Sequence, residues 1–527
     1  MKKIITLVIT IGIIFSVNGF SQVTFQKYIG GSAYDEAYSI IQTGDGGYAV
    51  CGYTQSYGAG SSDVYVVKLD GSGNIQWTKT IGGSGSESGG SIIQTTDGGY
   101  AIGGYTNSFG AGGTDVFVIK FDGSGNIQWS KTFGGSNSDG GNDIVQTSDG
   151  GYAIGGYTQS FGAGGTDAYV IKLDSTGSMQ WTKTIGGSGH ERAYSIIQSN
   201  DGGYALAGYT GSFGAGSADI YFVKLDGSGN LQATRTIGGS YDDRGNDIIQ
   251  TQDGGYAIAG SRDSSLVPDM YVVKLSSTLN VQWKNIIGDI YYDAGYSIVQ
   301  NNDGSYMVCG YSDSYGGPTV MDFYVVKLSS SGNLSWTKCS GPGYYEVGYS
   351  IVKTSDGGYA ACGTFYSMVD EDIYIVKMDV SGNTCANNGA VGTIATYGTE
   401  SSGGTASSGG AIADAFPSVG SGGVDTMLCS SFPTVADSRF EKTIFNLSPN
   451  PATNQLTIES GAMKIERVEI YDVLGRLTRA PFDFAQGDSQ SERSRRLSVD
   501  VSSLAPGIYF LKARRDKRER VMKFVKE

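Results

Sequence analysis

Seven copies of one phrase, each about 52 residues long, constrain this chain more than any other feature. Tyr48, Tyr100, Tyr152, Tyr204, Tyr256, Tyr306 and Tyr359 mark the same place in each copy, at spacings of 52, 52, 52, 52, 50 and 53. A period in this range belongs to solenoids, propellers and arrays, because one such unit cannot bury its apolar face alone. The third copy reads "GNDIVQTS", "GGYAIGGYT", "DAYVIKLD" and "SMQWTKTIG", four strand-like runs broken by turn residues. Four short strands per unit make the blade of a β-propeller. Asp45, Asp97, Asp149, Asp201, Asp253, Asp303 and Asp356 each precede Gly at the first turn, a hairpin signal because Gly accepts positive φ. The third run is apolar on both faces: Val64 and Val66 alternate with Tyr65, Val67 and Leu69. A strand packed between neighbouring blades has no solvent face and loses simple alternation.

The ends of the repeat decide between a closed ring and an open stack. The seventh copy has three strands, and after "DVSGNT" its fourth dissolves into "CANNGAVG". A matching strand stands at the other end of the chain, where "VTFQKYIGG", Val23 to Gly31, parallels "IQWTKTIGG", Ile75 to Gly83. Closure through this strand removes the exposed sheet edges of an open array. The expected fold is all-β: a seven-bladed β-propeller over 22–383 closed by an N-terminal strand, a Gly/Ser-rich linker over 384–443, and a small C-terminal β-sandwich over 444–527. The 83 Gly against 9 Pro suit many tight turns, and 35 Tyr with 20 Phe supply apolar bulk for a core.

Charge and termini bound the setting. Residues 1–440 carry a net charge of −18 and residues 441–527 a net +4. An acidic body repels phosphate backbones, so nucleic acid is not an expected partner. Lys2 and Lys3 precede an apolar run, Ile4 to Phe15, and Gly19 and Ser21 are small residues before a cut ahead of Gln22, so 1–21 reads as a signal peptide. That run is shorter than the roughly 20 residues of a membrane span, and none is expected in the mature protein. Six cysteines are compatible with an oxidising compartment. Cys51, Cys309 and Cys362 fall where other copies carry Gly or Ala and read as small buried residues, whereas Cys385 and Cys429 flank the Gly/Ser-rich segment, with pairing left open.

The tail carries a specific resemblance. "LSPNPATNQLTI", "VEIYDVLGRL", "LAPGIYFLK" and the closing "KFVK" resemble the type A sorting domain of the type IX secretion system of Bacteroidota, over Phe445 to Glu527. Pro449, Asn450, Pro451, Gly475, Gly507 and Tyr509 fall on the family pattern, and the charged stretch Arg479 to Ser498 is longer than the usual loop. The resemblance implies the type IX machinery as partner and an extracellular or cell-surface address. More loosely, the repeats resemble propeller repeats of secreted bacterial and archaeal proteins, and "TSDGGY" is similar to the Asp-box turn, without its last aromatic.

Chemistry is sparse. The single histidine, His190, rules out multi-histidine zinc sites. The Asp63-type and Lys68-type positions are filled in every copy and so serve the repeat before a site. Ahead of each inner strand stand Asp35, Glu87, Asp139, Glu191, Asp243, Asp293 and Glu346; set around one mouth of the channel, they are candidate calcium ligands, with turn capping as the alternative. No other cofactor is expected. Tyr57, Phe109, Phe161 and Phe213, in "S-[YF]-G-A-G" loops, are candidate sugar-stacking residues, with packing against a blade as the alternative. The functional expectation is a secreted or cell-surface binding or adhesion module for a polysaccharide or a surface protein. The alternatives are a carboxylate-based glycoside hydrolase or lyase, with Asp242–Asp243 or Asp370–Glu371–Asp372 as its asymmetric acids, and a passive structural surface protein.

Overall fold

The computed structural model describes residues 22–385 apart from 264–266, 290, 315–320, 341–344 and 367–369, together with the strands within 388–431 and 446–526. The chain divides into two compact units, Met1–Thr434 and Val435–Glu527.

The first unit is a seven-bladed ring of antiparallel sheets. Blade 1 runs Asp35–Gln42, Tyr48–Thr54, Asp63–Leu69 and Ile75–Gly82 from the channel outward, and the same order recurs through blade 6, which ends at Ser340. Blade 7 takes Tyr345–Lys353, Tyr359–Tyr366 and Glu371–Met378 from the end of the repeat and Thr24–Gly30 from the N-terminus, with Phe25 opposite Lys377 and Ile29 opposite Ile373. The N-terminal strand therefore closes the ring. Its Phe25 meets Tyr48 edge-on at 6.0 Å, in the place where the blade 1 tryptophan, Trp77, meets Tyr100 of blade 2 at 5.9 Å.

The third strands of blades 1 to 4 are buried along their whole length and those of blades 5 to 7 at all but one residue each, as the loss of alternation requires, and seven apolar clusters fill the seams between blades. The lower face repeats one device around most of the ring. Gly46 of the first turn has φ +82°, and Asp45 of the same turn accepts from Gly47 N–H at 3.0 Å and from the ammonium of Lys68 at 2.9 Å. Six such Lys–Asp pairs, with the lysine stem buried between strands and the aspartate half-exposed, tie a third strand to its own first turn. Cys51, Cys309 and Cys362 are buried free thiols, and Cys339 is a fourth.

The segment read as a linker holds the main departure from the sequence reading. It contains seven strands, six of them only three or four residues long, and each adds a fifth, outermost strand to one blade. Asn388–Ala390 lies on blade 6, Thr393–Ala395 on blade 5, Thr399–Ser401 on blade 4, Thr405–Ser407 on blade 3, Ala411–Asp414 on blade 2 and Ser418–Gly420 on blade 1. The last, Val424–Ser431, pairs with the closing strand Thr24–Gly30 of blade 7. The segment thus girdles the ring in reverse blade order, with about six residues per blade. Small, turn-prone residues hid it because three-residue strands carry no readable alternation. Each added strand covers an edge that would otherwise present unpaired backbone groups.

The second unit has a three-stranded sheet of Asn446–Ser448, Gln455–Glu459 and Arg496–Asp500, and a four-stranded sheet ordered Leu477–Asp483, Arg467–Asp472, Gly507–Arg515 and Arg518–Lys526. Tyr509 is buried in it and donates to the carbonyl of Ala505 at 2.9 Å. Among the described residues no helix is long and apolar enough to cross a membrane.

Candidate functional site

The inner strands share one irregularity. In all seven the register slips by one residue near mid-strand, as between Ala37 and Ser39, leaving Tyr38, Gly90, Asn142, Tyr194, Asn246, Tyr296 and Tyr349 unpaired. A bulge re-aims its extra side chain, and here it turns into the central channel. Tyrosines of blades 1, 4, 6 and 7 wall the throat there, with Tyr349 edge-on to Tyr38 at 5.3 Å and to Tyr296 at 5.0 Å. With Arg244, Asn246 and Ser261 these tyrosines line a cavity of about 380 Å³.

Below it the next residue of each inner strand forms a narrower ring: Ser39, Ser91, Asp143, Ser195, Asp247, Ser297 and Ser350, around about 120 Å³. The Ser195 hydroxyl lies 3.1 Å from Asp143 Oδ2 and 3.0 Å from Asp247 Oδ1, so it has one proton for two carboxylates. Burial pushes Asp247 up to about 6, with Asp143 adding to the rise, so a proton on Asp247 relieves the conflict in mildly acidic solution. Backbone N–H groups of Ile196 and Ile298 hold the two carboxylates at 2.8 Å, which also stitches neighbouring blades together.

The upper face, where the inner strands begin, is where the blades differ. Tyr34, Tyr241, Tyr291, Tyr292 and Tyr345 are 45–53% exposed there and are the exposed large aromatics among the described residues. They belong to blades 1, 5, 6 and 7, which are consecutive around the closed ring. Directly before the inner strand, blades 2, 3 and 4 carry Ser86, Ser138 and His190 instead. The arc continues into the throat through Tyr296, Tyr349 and Tyr38. Charge is uneven on the same face. Arg192 lies 4.1 Å from the ring centre of Tyr157 and Arg244 5.1 Å from that of Tyr209, on blades 4 and 5. Across the throat, Tyr53 donates to Glu36 at 2.8 Å, and burial together with a hydrogen bond to Glu36 pushes Glu371 up to about 7.

The candidates read from sequence fall elsewhere. Asp35, Glu87, Asp139, Glu191, Asp243, Asp293 and Glu346 are fully buried in the seams between blades rather than spread around an open mouth. Glu87 accepts from Gly83 N–H at 2.7 Å and from the Thr106 hydroxyl at 2.8 Å. Asp35, Glu87, Asp139, Glu191, Asp243 and Asp293 also face a third-strand acid of the preceding blade across a glycine. A Cβ placed on Gly186 would sit 2.1 Å from Asp167 Oδ1 and 2.4 Å from Glu191 Oε2. Gly30, Gly82, Gly134, Gly238 and Gly288 stand in the same relation to their own acid pairs. Gly186→Ala is accordingly expected to lower stability by about 1–3 kcal/mol in urea titration, whereas Gly44→Ala, whose Cβ would meet only Gln94 at 3.6 Å, should leave the midpoint unchanged. No group of three or more acidic, histidine or cysteine side chains is set to hold a metal ion among the described residues.

Tyr57, Phe109, Phe161 and Phe213 are half-buried and tuck against their own third strands, as in the 6.1 Å contact of Phe161 with Tyr169. His190 is exposed, with Nδ1 3.2 Å from the Thr166 hydroxyl. Asp242 pairs with Arg244 at 3.4 Å and Asp243 with Arg262 at 3.6 Å. Of the tail motif, Gly507 opens a strand and Tyr509 is buried, while Pro449, Asn450, Pro451 and Gly475 lie outside the described residues, as does the 1–21 segment. The sequence reading missed the throat tyrosines, although theirs is the position at which the inner strands vary between Tyr, Asn and Gly.

Comparison with known proteins decides the tail. Residues 446–527 match the family described as Secretion system C-terminal sorting domain. The chain carries a type IX secretion sorting domain. It is therefore exported to the extracellular space or the cell surface. The chain is similar to the Regulatory protein FlaEY of Caulobacter vibrioides, at 26% identity over 203 residues, which is 33% of this chain and 21% of that protein. The match thus spans about a fifth of the relative's length. Among solved structures it is similar to Sqt1 from Chaetomium thermophilum, with 13% identity, 71% of this chain, 89% of that chain and TM-score 0.41. A protein of unknown function from Dyadobacter fermentans gives 12%, 67%, 97% and 0.38. The blade count rests on this chain's own sheet order.

Proposed function

We propose that this sorting-domain protein is a binding module displayed outside the cell, and that its upper face takes a polysaccharide. The observation that carries the reading is the one-sided arc of exposed tyrosines on blades 5, 6, 7 and 1, running into a throat walled by Tyr38, Tyr194, Tyr296 and Tyr349. A tyrosine offers an apolar face and a polar tip, which matches the C–H faces and hydroxyl edges of a sugar ring. Arg244, Asn246 and Ser261 add hydrogen-bonding groups inside the cavity. Binding is favoured over hydrolysis by the acids on this face. Glu36 and Glu371 are in hydrogen-bond contact, whereas glycosidases hold their two carboxyls roughly 5 to 9.5 Å apart, with the sugar between them.

The test is titration of the full chain against a panel of soluble polysaccharides. One should bind, and Tyr292→Ala and Tyr345→Ala, both exposed and so harmless to the core, should each weaken it roughly tenfold, about 1.4 kcal/mol. Retention of full affinity by both variants would place the ligand elsewhere.

A further inference from the structure

The girdle begins and ends at the same place. Thr384, at its start, accepts a hydrogen bond from Gln26 Nε2 at 2.9 Å, and Cys385 follows it. At its far end Cys429 stands opposite the same Gln26 in the pairing of Val424–Ser431 with the closing strand. Between these two points the chain passes the outer edge of blades 6, 5, 4, 3, 2 and 1 in turn. Cys385 is disulfide-bonded, and Cys51, Cys309, Cys339 and Cys362 are free thiols, which leaves Cys429 among the six cysteines.

We propose that a Cys385–Cys429 disulfide turns the girdle into a covalent ring closed around the propeller. Its formation takes two thiols to one disulfide, with the two electrons and two protons passing to a disulfide oxidant of the export pathway, itself reduced to two thiols. The reduced chain can shed the girdle one blade at a time from blade 6 to blade 1, because each of those six girdle strands pairs with its blade at only three or four residues. The oxidised chain cannot, since the girdle's two ends are joined over Gln26. The bond sits where the ring most needs it. The closing strand is held on one side by Glu371–Met378 and on the other by Val424–Ser431, so pinning the latter keeps the N-terminus in blade 7. The ring also ends before the sorting domain begins at residue 446, so a cut between residues 431 and 446 detaches the sorting domain and leaves the ring intact.

The experiment uses the exported full chain. Non-reducing digestion should yield one linked peptide pair containing Cys385 and Cys429. Dithiothreitol and the C385S/C429S double variant should each lower the melting temperature by about 5 °C, the effect of a loop of roughly 45 residues on a domain this large. Dithiothreitol should not lower the double variant further, because the remaining thiols are already free. A different linked pair, free thiols at both positions, or a linked pair whose reduction leaves melting unchanged would each overturn the proposal.

Discussion

Deletion of residues 23–30 is expected to abolish the cooperative unfolding transition of the propeller. The strand contributes Phe25 and Ile29, both fully buried, to the cluster that joins blade 7 to blade 1. Without it Glu371–Met378 becomes a sheet edge, Val424–Ser431 loses its partner, and Tyr48 loses the aromatic that caps it. The ring then has one three-stranded blade and an open seam, and a ring held by neighbour contacts fails at its weakest seam. Phe25→Ala should show the same weakness in smaller measure, costing about 3–5 kcal/mol for the lost contacts and the cavity left behind. Urea titration followed by far-ultraviolet circular dichroism reads both. A deletion variant with one sharp transition at the parent midpoint would mean that the ring does not depend on its N-terminal strand.

What the sequence shows and hides follows from the size of each signal. The blades are legible because each spans four strands with strong turn residues, and seven aligned copies expose which positions are interchangeable. The closing strand is legible because Phe25, Lys27 and Gly30 repeat the spacing of Trp77, Lys79 and Gly82. The girdle is not, since strands such as Thr399–Ser401 are too short for a period and are built of residues common in loops. The bulge at Tyr38 is invisible for another reason: every inner strand has it, so no copy without the extra residue exists for comparison. The acid columns, one on the inner strands and one on the third, read as two separate features, a candidate calcium ring and a repeat device. Only the fold brings Asp167 and Glu191 to opposite sides of Gly186.

Those facing acids make the propeller more stable in mild acid than in mild alkali. Burial lifts Asp167, on which Glu191 also acts, and Asp322, on which Asp313 acts, to about 6. It lifts Asp372, beside Asp370 and Asp35, to about 7. Asp243 also reaches about 7 by burial and the charge of Asp219, against the Gly239 N–H and the Arg262 guanidinium, which lower it. The unfolded chain titrates these groups near 3.8, so between pH 4 and 7 the native state binds more protons than the unfolded one. Their contribution is complete below pH 3.8 and is lost as pH rises through 6 and 7. Asp45, Asp97, Asp149 and Asp253 act the other way. Hydrogen bonds and the paired lysines hold them near 2 despite partial burial, so their contribution is present above 3.8 and is lost as pH falls toward 2. The unfolding free energy from urea titration should therefore fall from pH 5 and level off above pH 7, by an amount on the order of a few kcal/mol. Asp372→Asn, neutral throughout, should flatten part of that slope and raise the midpoint at pH 8. A midpoint that holds or climbs from pH 5 to pH 8 would show that the seams keep both carboxylates ionised at no cost, which two acids flanking one glycine in a dry seam cannot do without a counter-charge.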